Sequence, residues 1–423
     1  MSDHDVTRLL PCELPSPLAC AFTTDDVRIL ADVEIGSERV DTAAAFEKAG
    51  PRAKLHFEPE KTQVGIVTCG GLSPGINNAV RSLALELHHR YRVPKILGFR
   101  YGFEGLVPGV AAEPIVLRPE TVRHVHRLGG SFLGTSRGRR DVGVMVDTLE
   151  RLGLDVLFLV GGNGTLQGAH AIHEELVKRH RHIGVVALPK TIDDDVPYLD
   201  KTFGFETAVD MGRIAIDAAH VEASSARNGI GIVKLMGRDS GFIAASATLA
   251  SAEANFCLLP EFPFVLDGPS GLLAAVERRL HDRGHAVLVV AEGCAASLVR
   301  EGSERDASGN PRYASAELDI GPRLRDALAA HFRAAHVDVT IKYIDPSYTI
   351  RAAPANATDA LYCAELGRHA AHAAMAGRTD VMVGRFHGAF VHVPIPLAIS
   401  RTRRVDEALF QAVREVTGQP RLA

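Results

Sequence analysis

Residues 155–180 read DVLFLVGGNGTLQGAHAIHEELVKRH. The apolar run at 155–160 shows no polar alternation, as expected of a strand covered on both faces. Glycines follow, and a helical pattern begins at Thr165. Strand, glycine turn and helix form half of a βαβ unit. The same order appears earlier, where VGIVTC (64–69) leads through a glycine turn into NNAVRSLALELHHRY (77–91). IGVVAL (183–188), GIGIVKL (229–235), HAVLVV (285–290) and VDVTIKYI (337–344) are further strand-like runs, each near a helical pattern. This alternation predicts parallel-rich α/β sheets, with too many strands for one small sheet, so two α/β domains are expected. No fixed-period repeat or low-complexity tract stands out.

The chain has 423 residues, 46% hydrophobic and 23% charged, which suits an ordinary globular protein of two or three domain-sized units. A formal net charge of −4 gives no bulk attraction to nucleic acid or membrane. The six cysteines are scattered without a CxxC pair, so neither a zinc site nor a disulfide framework is suggested. Reduced intracellular thiols are the expectation. The N-terminus lacks a basic start and apolar stretch, and no run is long enough to span a membrane, so a cytoplasmic protein is expected. Residues 1–60 hold proline and mixed charge with little periodicity. They read as an appended segment, packed on the body or at a subunit interface.

Ligands of parallel α/β sheets sit beyond the carboxyl ends of the strands. CGGLSPGINNAVR (69–81) fills such a place. Gly70 and Gly71 admit a close backbone approach, and the helix after Pro74 and Gly75 starts with unpaired N–H groups, a phosphate cradle by geometry. A tight strand-to-helix turn explains this stretch equally well. It is neither a Walker A loop nor a clean GxGxxG. GGNGTLQGA (161–169) is a second such loop, and two together favour a nucleotide polyphosphate. LPKTIDDDVP (188–197) sets three aspartates after a third strand. A carboxylate there can hold Mg²⁺ or take a proton from a hydroxyl nucleophile, and a solvated turn becomes the lesser reading. Arg137, in GGSFLGTSRGRR (129–140), and Arg238, in KLMGRDSGFIA (234–244), sit in glycine-flanked loops suited to neutralising a phosphoryl group in transfer. Arg139 and Arg140 read as surface pairs.

GGLSPGINNAVR, GGSFLGTSR, GGNGT, PKTIDDD, MGRDSGFIA, VVAEG and IDPSYTIR occur in the order expected of a phosphofructokinase. The chain resembles that family over roughly residues 62–360, extending to about 400, and its long ATP-dependent form in particular. The resemblance implies two Rossmann-like three-layer domains with the active site in the cleft between them. It implies phosphoryl transfer from ATP to the 1-hydroxyl of fructose 6-phosphate, giving fructose 1,6-bisphosphate and ADP, the committing step of glycolysis. Mg²⁺ would be the metal, and a homo-oligomer, dimer or tetramer, the assembly. The expected domains are an N-terminal extension (1–61), a discontinuous nucleotide-binding domain (62–204 with about 356–400), a sugar-phosphate domain (205–355) and a C-terminal helical segment (401–423).

By the same resemblance, Asp193 matches the general base, with Thr191 contacting the transferring phosphate or sugar. Arg137 and Arg238 match the neutralising arginines. Gly71, Arg137, Gly138, Gly161, Gly162, Asn163, Gly164, Thr165 and Lys190 match the donor site, while Phe103 either stacks on the base or is a core aromatic. Met236, Gly237, Glu292, Lys342, Tyr348 and Arg351 match sugar-phosphate positions; Asn163 and Asp195 match the metal side.

Pyrophosphate-using members tend to carry Asp where Gly164 stands, and that carboxylate would fill the space the α-phosphate needs. Gly164 therefore favours ATP, whereas Lys190 is typical of pyrophosphate users. Asn163 replaces the family's usual Asp, which removes a charge from the metal side. Gly229 replaces the arginine with which short bacterial members reach a neighbouring subunit. The alternatives are a reversible pyrophosphate-dependent fructose 6-phosphate 1-phosphotransferase and a catalytically weakened sugar-phosphate-binding regulatory subunit.

Overall fold

The computed structural model of the chain describes residues 3–34, 44–110, 112–298 and 319–422. Parts of the N-terminal extension and of the 205–355 domain expected from sequence thus lie outside the described residues. The chain packs as two units. One comprises Met1–Ile192, Val196–Gly204 and Ala352–Thr402; the other comprises Asp193–Asp195, Phe205–Arg351 and Arg403–Ala423.

In the first unit, Val156–Gly161 is buried at every position, as its unbroken apolar run predicts. Its side chains alternate between two cores. Val156, Phe158 and Val160 join one core with residues of the helices Ile76–Leu85 and Ala357–Met375. Leu157 and Leu159 join the other with residues of Val142–Arg151 and Asn163–Lys178. Helices on both faces make the unit a three-layer sandwich. The strand pairs in parallel with Gln63–Thr68 on one side and Gly184–Pro189 on the other, Leu159 facing Val67 and Ala187. The full order is Arg28–Leu30, Ala45–Lys48, Ala389–Pro394, Val381–Phe386, Gly184–Pro189, Val156–Gly161, Gln63–Thr68, Lys95–Gly98 and Ile115–Val116. The five strands from Val381–Phe386 to Lys95–Gly98 are mutually parallel, and the flanking strands are antiparallel.

Arg28–Leu30 and Ala45–Lys48 come from the segment read as appended, and they extend this sheet. Glu47 fixes the join. Its side chain is 1% exposed and meets Arg52 at 2.8 Å, Arg378 at 2.9 Å, Arg8 at 2.5 Å and Nδ1 of His392 at 3.0 Å. Burial alone would raise the Glu47 carboxyl. The His392 hydrogen bond and the Arg378 and Arg8 guanidinium groups reverse this and hold it far below the usual carboxylate range. His392 is itself fully buried and its basicity is depressed by that burial. The arginines carry the charge balance.

In the second unit, Phe256–Leu258, His285–Ala291, Gly229–Leu235 and Thr340–Ile344 form an all-parallel sheet in that order. Small residues bring a helix close to it: a Cβ on Gly231 would lie 3.0 Å from the Ala219 carbonyl oxygen in the helix Phe205–Ser224. The C-terminal helix Glu407–Thr417 closes one end, with Phe410 stacked on Phe262 at 3.9 Å between ring centroids.

Glu47→Gln removes the charge that three buried or half-buried guanidiniums face. It is expected to cost about 3–5 kcal/mol in urea unfolding. Because the folded carboxyl titrates below its unfolded value, the difference from the parent protein is full above about pH 4.3 and shrinks as pH falls below it.

Candidate functional site

In the first unit, the three central strands end side by side, so the loops after them share one edge. Gly70 has φ 85°, a left-handed conformation that suits glycine, and its N–H donates to the Ser136 carbonyl at 3.0 Å. A Cβ on Gly71 would lie 3.3 Å from Nη2 of Arg137, so the exposed guanidinium reaches over the first cradle. Gly75, φ 100°, opens the helix Ile76–Leu85. The second cradle follows Val156–Gly161, and the helix Asn163–Lys178 starts within it. Gly164 is exposed, with nothing within 4 Å of an added Cβ. Thr165 is buried, and its N–H donates to the Gly162 carbonyl at 2.8 Å.

Lys190 knits the two cradles. Its N–H donates to the Gly161 carbonyl at 2.9 Å and its Nζ to the Gly71 carbonyl at 2.8 Å, and it is only 6% exposed. The Thr191 carbonyl accepts from Thr202 Oγ1 at 2.6 Å. Phe103 is 7% exposed and faces Gly168, where an added Cβ would approach its ring to 2.7 Å, so it is a core aromatic. Arg140 pairs with Glu104, as a surface pair should.

The second unit gathers the carboxylates. Asp193 has its Oδ1 enclosed, and its carboxyl is pushed well above the usual range. Burial is the largest cause; Asp195 and Glu292 add to it, while Arg351 and Arg238 oppose it. These five residues, placed together by motif, are thus brought together by the fold. Gly237 has φ 127°, and its carbonyl accepts from the Gly293 N–H at 3.0 Å, tying the Arg238 loop to the Glu292 turn. Met236 is fully buried and its Sδ receives Nε of Arg351 at 3.0 Å. Lys342 and Tyr348 are exposed, Tyr348 at 86%. Sequence reading passed over Ser240, whose buried Oγ donates to the Asp193 carbonyl at 2.9 Å. Its proximity to Arg238 in MGRDSG was the available signal.

Metal ligation can be judged from the acceptors. Asn163 Oδ1 is buried and makes no hydrogen bond among the described residues, so an amide oxygen is available at the start of a helix. Asp195 belongs to a carboxylate cluster in which a cation would relieve repulsion. Taken separately, each is an oxygen of the kind that a hard cation accepts when substrate phosphates complete its shell.

Glycine cradles at a parallel sheet edge in one unit, and a carboxylate–arginine cluster in the other, define a phosphate-handling α/β protein. A family model described as Phosphofructokinase matches residues 63–374. The chain is 47% identical over 446 residues to the ATP-dependent 6-phosphofructokinase of Amycolatopsis methanolica, covering 99% of this chain and 95% of that one. It is 46% identical over 376 residues to the ATP-dependent 6-phosphofructokinase of Trypanosoma cruzi, covering 88% and 76%. The pyrophosphate-dependent phosphofructokinase of Marinobacter aquaeolei shares the fold, with a TM-score of 0.69 at 19% identity over 84% of this chain and 91% of that one. The chain belongs to the phosphofructokinase family.

A Cβ on Gly237 would fall 2.3 Å from the Ser240 carbonyl oxygen. Gly237→Ala should therefore lose about 1–3 kcal/mol of stability. Gly164→Ala meets open space inside a helix and should match or exceed the parent protein; thermal unfolding of the two variants checks the contrast.

Proposed function

We propose that this chain transfers the terminal phosphoryl group of ATP to the 1-hydroxyl of fructose 6-phosphate, giving fructose 1,6-bisphosphate and ADP. The observation that carries this reading is the meeting of Asp193 with Arg238, Arg351, Glu292 and Asp195. A base crowded by carboxylates and balanced by guanidiniums suits proton abstraction from a hydroxyl beside transferring phosphate.

Asp193 accepts the proton of the 1-hydroxyl as its oxygen attacks phosphorus. Arg238 and Arg137 stabilise the charge that spreads over the phosphoryl oxygens. Thr191 contacts the transferring phosphate or the sugar. Glu292 hydrogen-bonds the sugar, with Met236 and Gly237 shaping its loop. Arg351, Tyr348 and Lys342 hold the 6-phosphate, Arg by its bidentate fork. Gly71, Arg137, Gly138, Gly161, Gly162, Asn163, Gly164, Thr165 and Lys190 hold the donor, with helix N–H groups facing its phosphates. Mg²⁺, when bound, supplies positive charge to the donor's phosphate oxygens, and Asn163 and Asp195 would hold it.

ATP rather than pyrophosphate is supported by the open space at Gly164 and by the ATP-dependent relatives. Lys190 weighs less for pyrophosphate than its identity suggested, because its ammonium is engaged with the Gly71 carbonyl. The chain is cytoplasmic in this reading, consistent with the thiols of Cys12, Cys20, Cys69, Cys257 and Cys363. A dimer or tetramer is supported by the exposed apolar stripe Ile214, Ala218 and Val221 on one helix.

A coupled assay with either donor tests the whole reading: turnover with ATP is expected, and turnover with pyrophosphate alone would overturn it. Gly164→Asp should raise the KM for ATP at least tenfold with little effect on fructose 6-phosphate, and without loss of stability because the position is open. Asp193→Ser should bind both substrates yet lose about 10²–10⁴-fold in kcat.

A further inference from the structure

Three aspartates follow Ile192, and the mechanism above uses only the first and third. Asp194 adopts φ 56°, a left-handed conformation that Asp tolerates better than most residues. Its side chain is 4% exposed and pairs with Nη1 of Arg403 at 2.6 Å. The Arg403 N–H also donates to the Asp195 carbonyl at 2.8 Å, and its guanidinium lies over the Phe242 ring, 4.6 Å from the centroid. Two residues on, the Val405 N–H donates to Oε1 of Glu261 at 2.9 Å. The same oxygen accepts from the Gly241 N–H at 2.9 Å. Gly241 closes the loop that carries Arg238, and Ser240 of that loop donates to the Asp193 carbonyl. Residues 403–405 therefore grip two loops at once: the aspartate loop directly, and the Arg238 loop through Glu261. All three lie beyond the 63–374 span matched by the family model.

A nearly buried carboxylate must be compensated, and losing the Arg403 guanidinium weakens that compensation, so the loop must move to hydrate the charge. Moving Asp194 moves Asp193. Misplacement of a reacting group by about 1 Å can cost 10²-fold in rate. We propose that Arg403 is a positioning residue for phosphoryl transfer: by locking Asp194 it sets the Asp193 carboxyl against Arg238 and Arg351. This rests on the function proposed above.

The test uses the full chain. Asp194→Asn keeps the shape and backbone preference while removing the charge; Arg403→Met removes the cation; Arg403→Lys restores it without the fork. Asp194→Asn and Arg403→Met should each lower kcat about 10²-fold, with little change in either KM. The double variant should be no worse than either single one, since both break the same contact. Arg403→Lys should recover part of kcat. Amide hydrogen exchange of residues 190–198, without substrate, should accelerate in the Met variant while other protected regions hold. Unchanged exchange and kcat in folded Asp194→Asn, or losses that multiply in the double variant, would overturn the proposal. Should Arg403→Met fail to fold, Asp194→Asn decides alone. Full turnover by Asp193→Ser would instead sink the underlying functional reading, while the exchange measurement still judges the lock.

Discussion

A carboxylate enclosed by protein and set against two others resists ionising, and the second unit is organised around that difficulty. Burial, Asp195 and Glu292 push Asp193 toward its neutral form; Arg238 and Arg351 pull it back. Neither side can be removed without changing what Asp193 does. Without the carboxylates, burial would still favour the neutral form of Asp193, though less strongly. Without the arginines it would be held still further toward its neutral form. The turn at Gly237, the hydrogen bond from Ser240 and the Arg351–Met236 contact all serve to hold this balance in one geometry.

The first unit solves a different problem with the same architecture. Parallel strands buried on both faces end in a row, and their loops must satisfy backbone groups while leaving room for phosphates. Glycines provide the room, and Lys190 provides rigidity by bridging the two cradles through backbone carbonyls. Asn163 leaves an acceptor oxygen unspent where a hydrated cation could use it.

Much of this was legible in the sequence because local rules applied. Val156–Gly161 announced itself by lacking alternation, and Gly229–Leu235 matched the expected run at both ends. The helix expected over 77–91 runs from Ile76 and gives way to a π-turn at Glu86–Arg90, a hydrogen-bond shift that composition does not reveal. Ala45–Lys48 was missed as a strand because Glu47 interrupts its apolar pattern. Its burial makes sense only once Arg378 and His392, more than three hundred residues away, are in place.

The sequence by itself determined the parallel α/β character, the glycine turns at strand ends and the residue types of the site, since each depends on neighbours a few positions apart. Tertiary structure alone decided that Asp193–Asp195 packs with the second unit while Lys190 packs with the first, and that Asp194 meets Arg403. Compensation of a buried charge needs a partner in space, and the chain can draw that partner from any distance along its length.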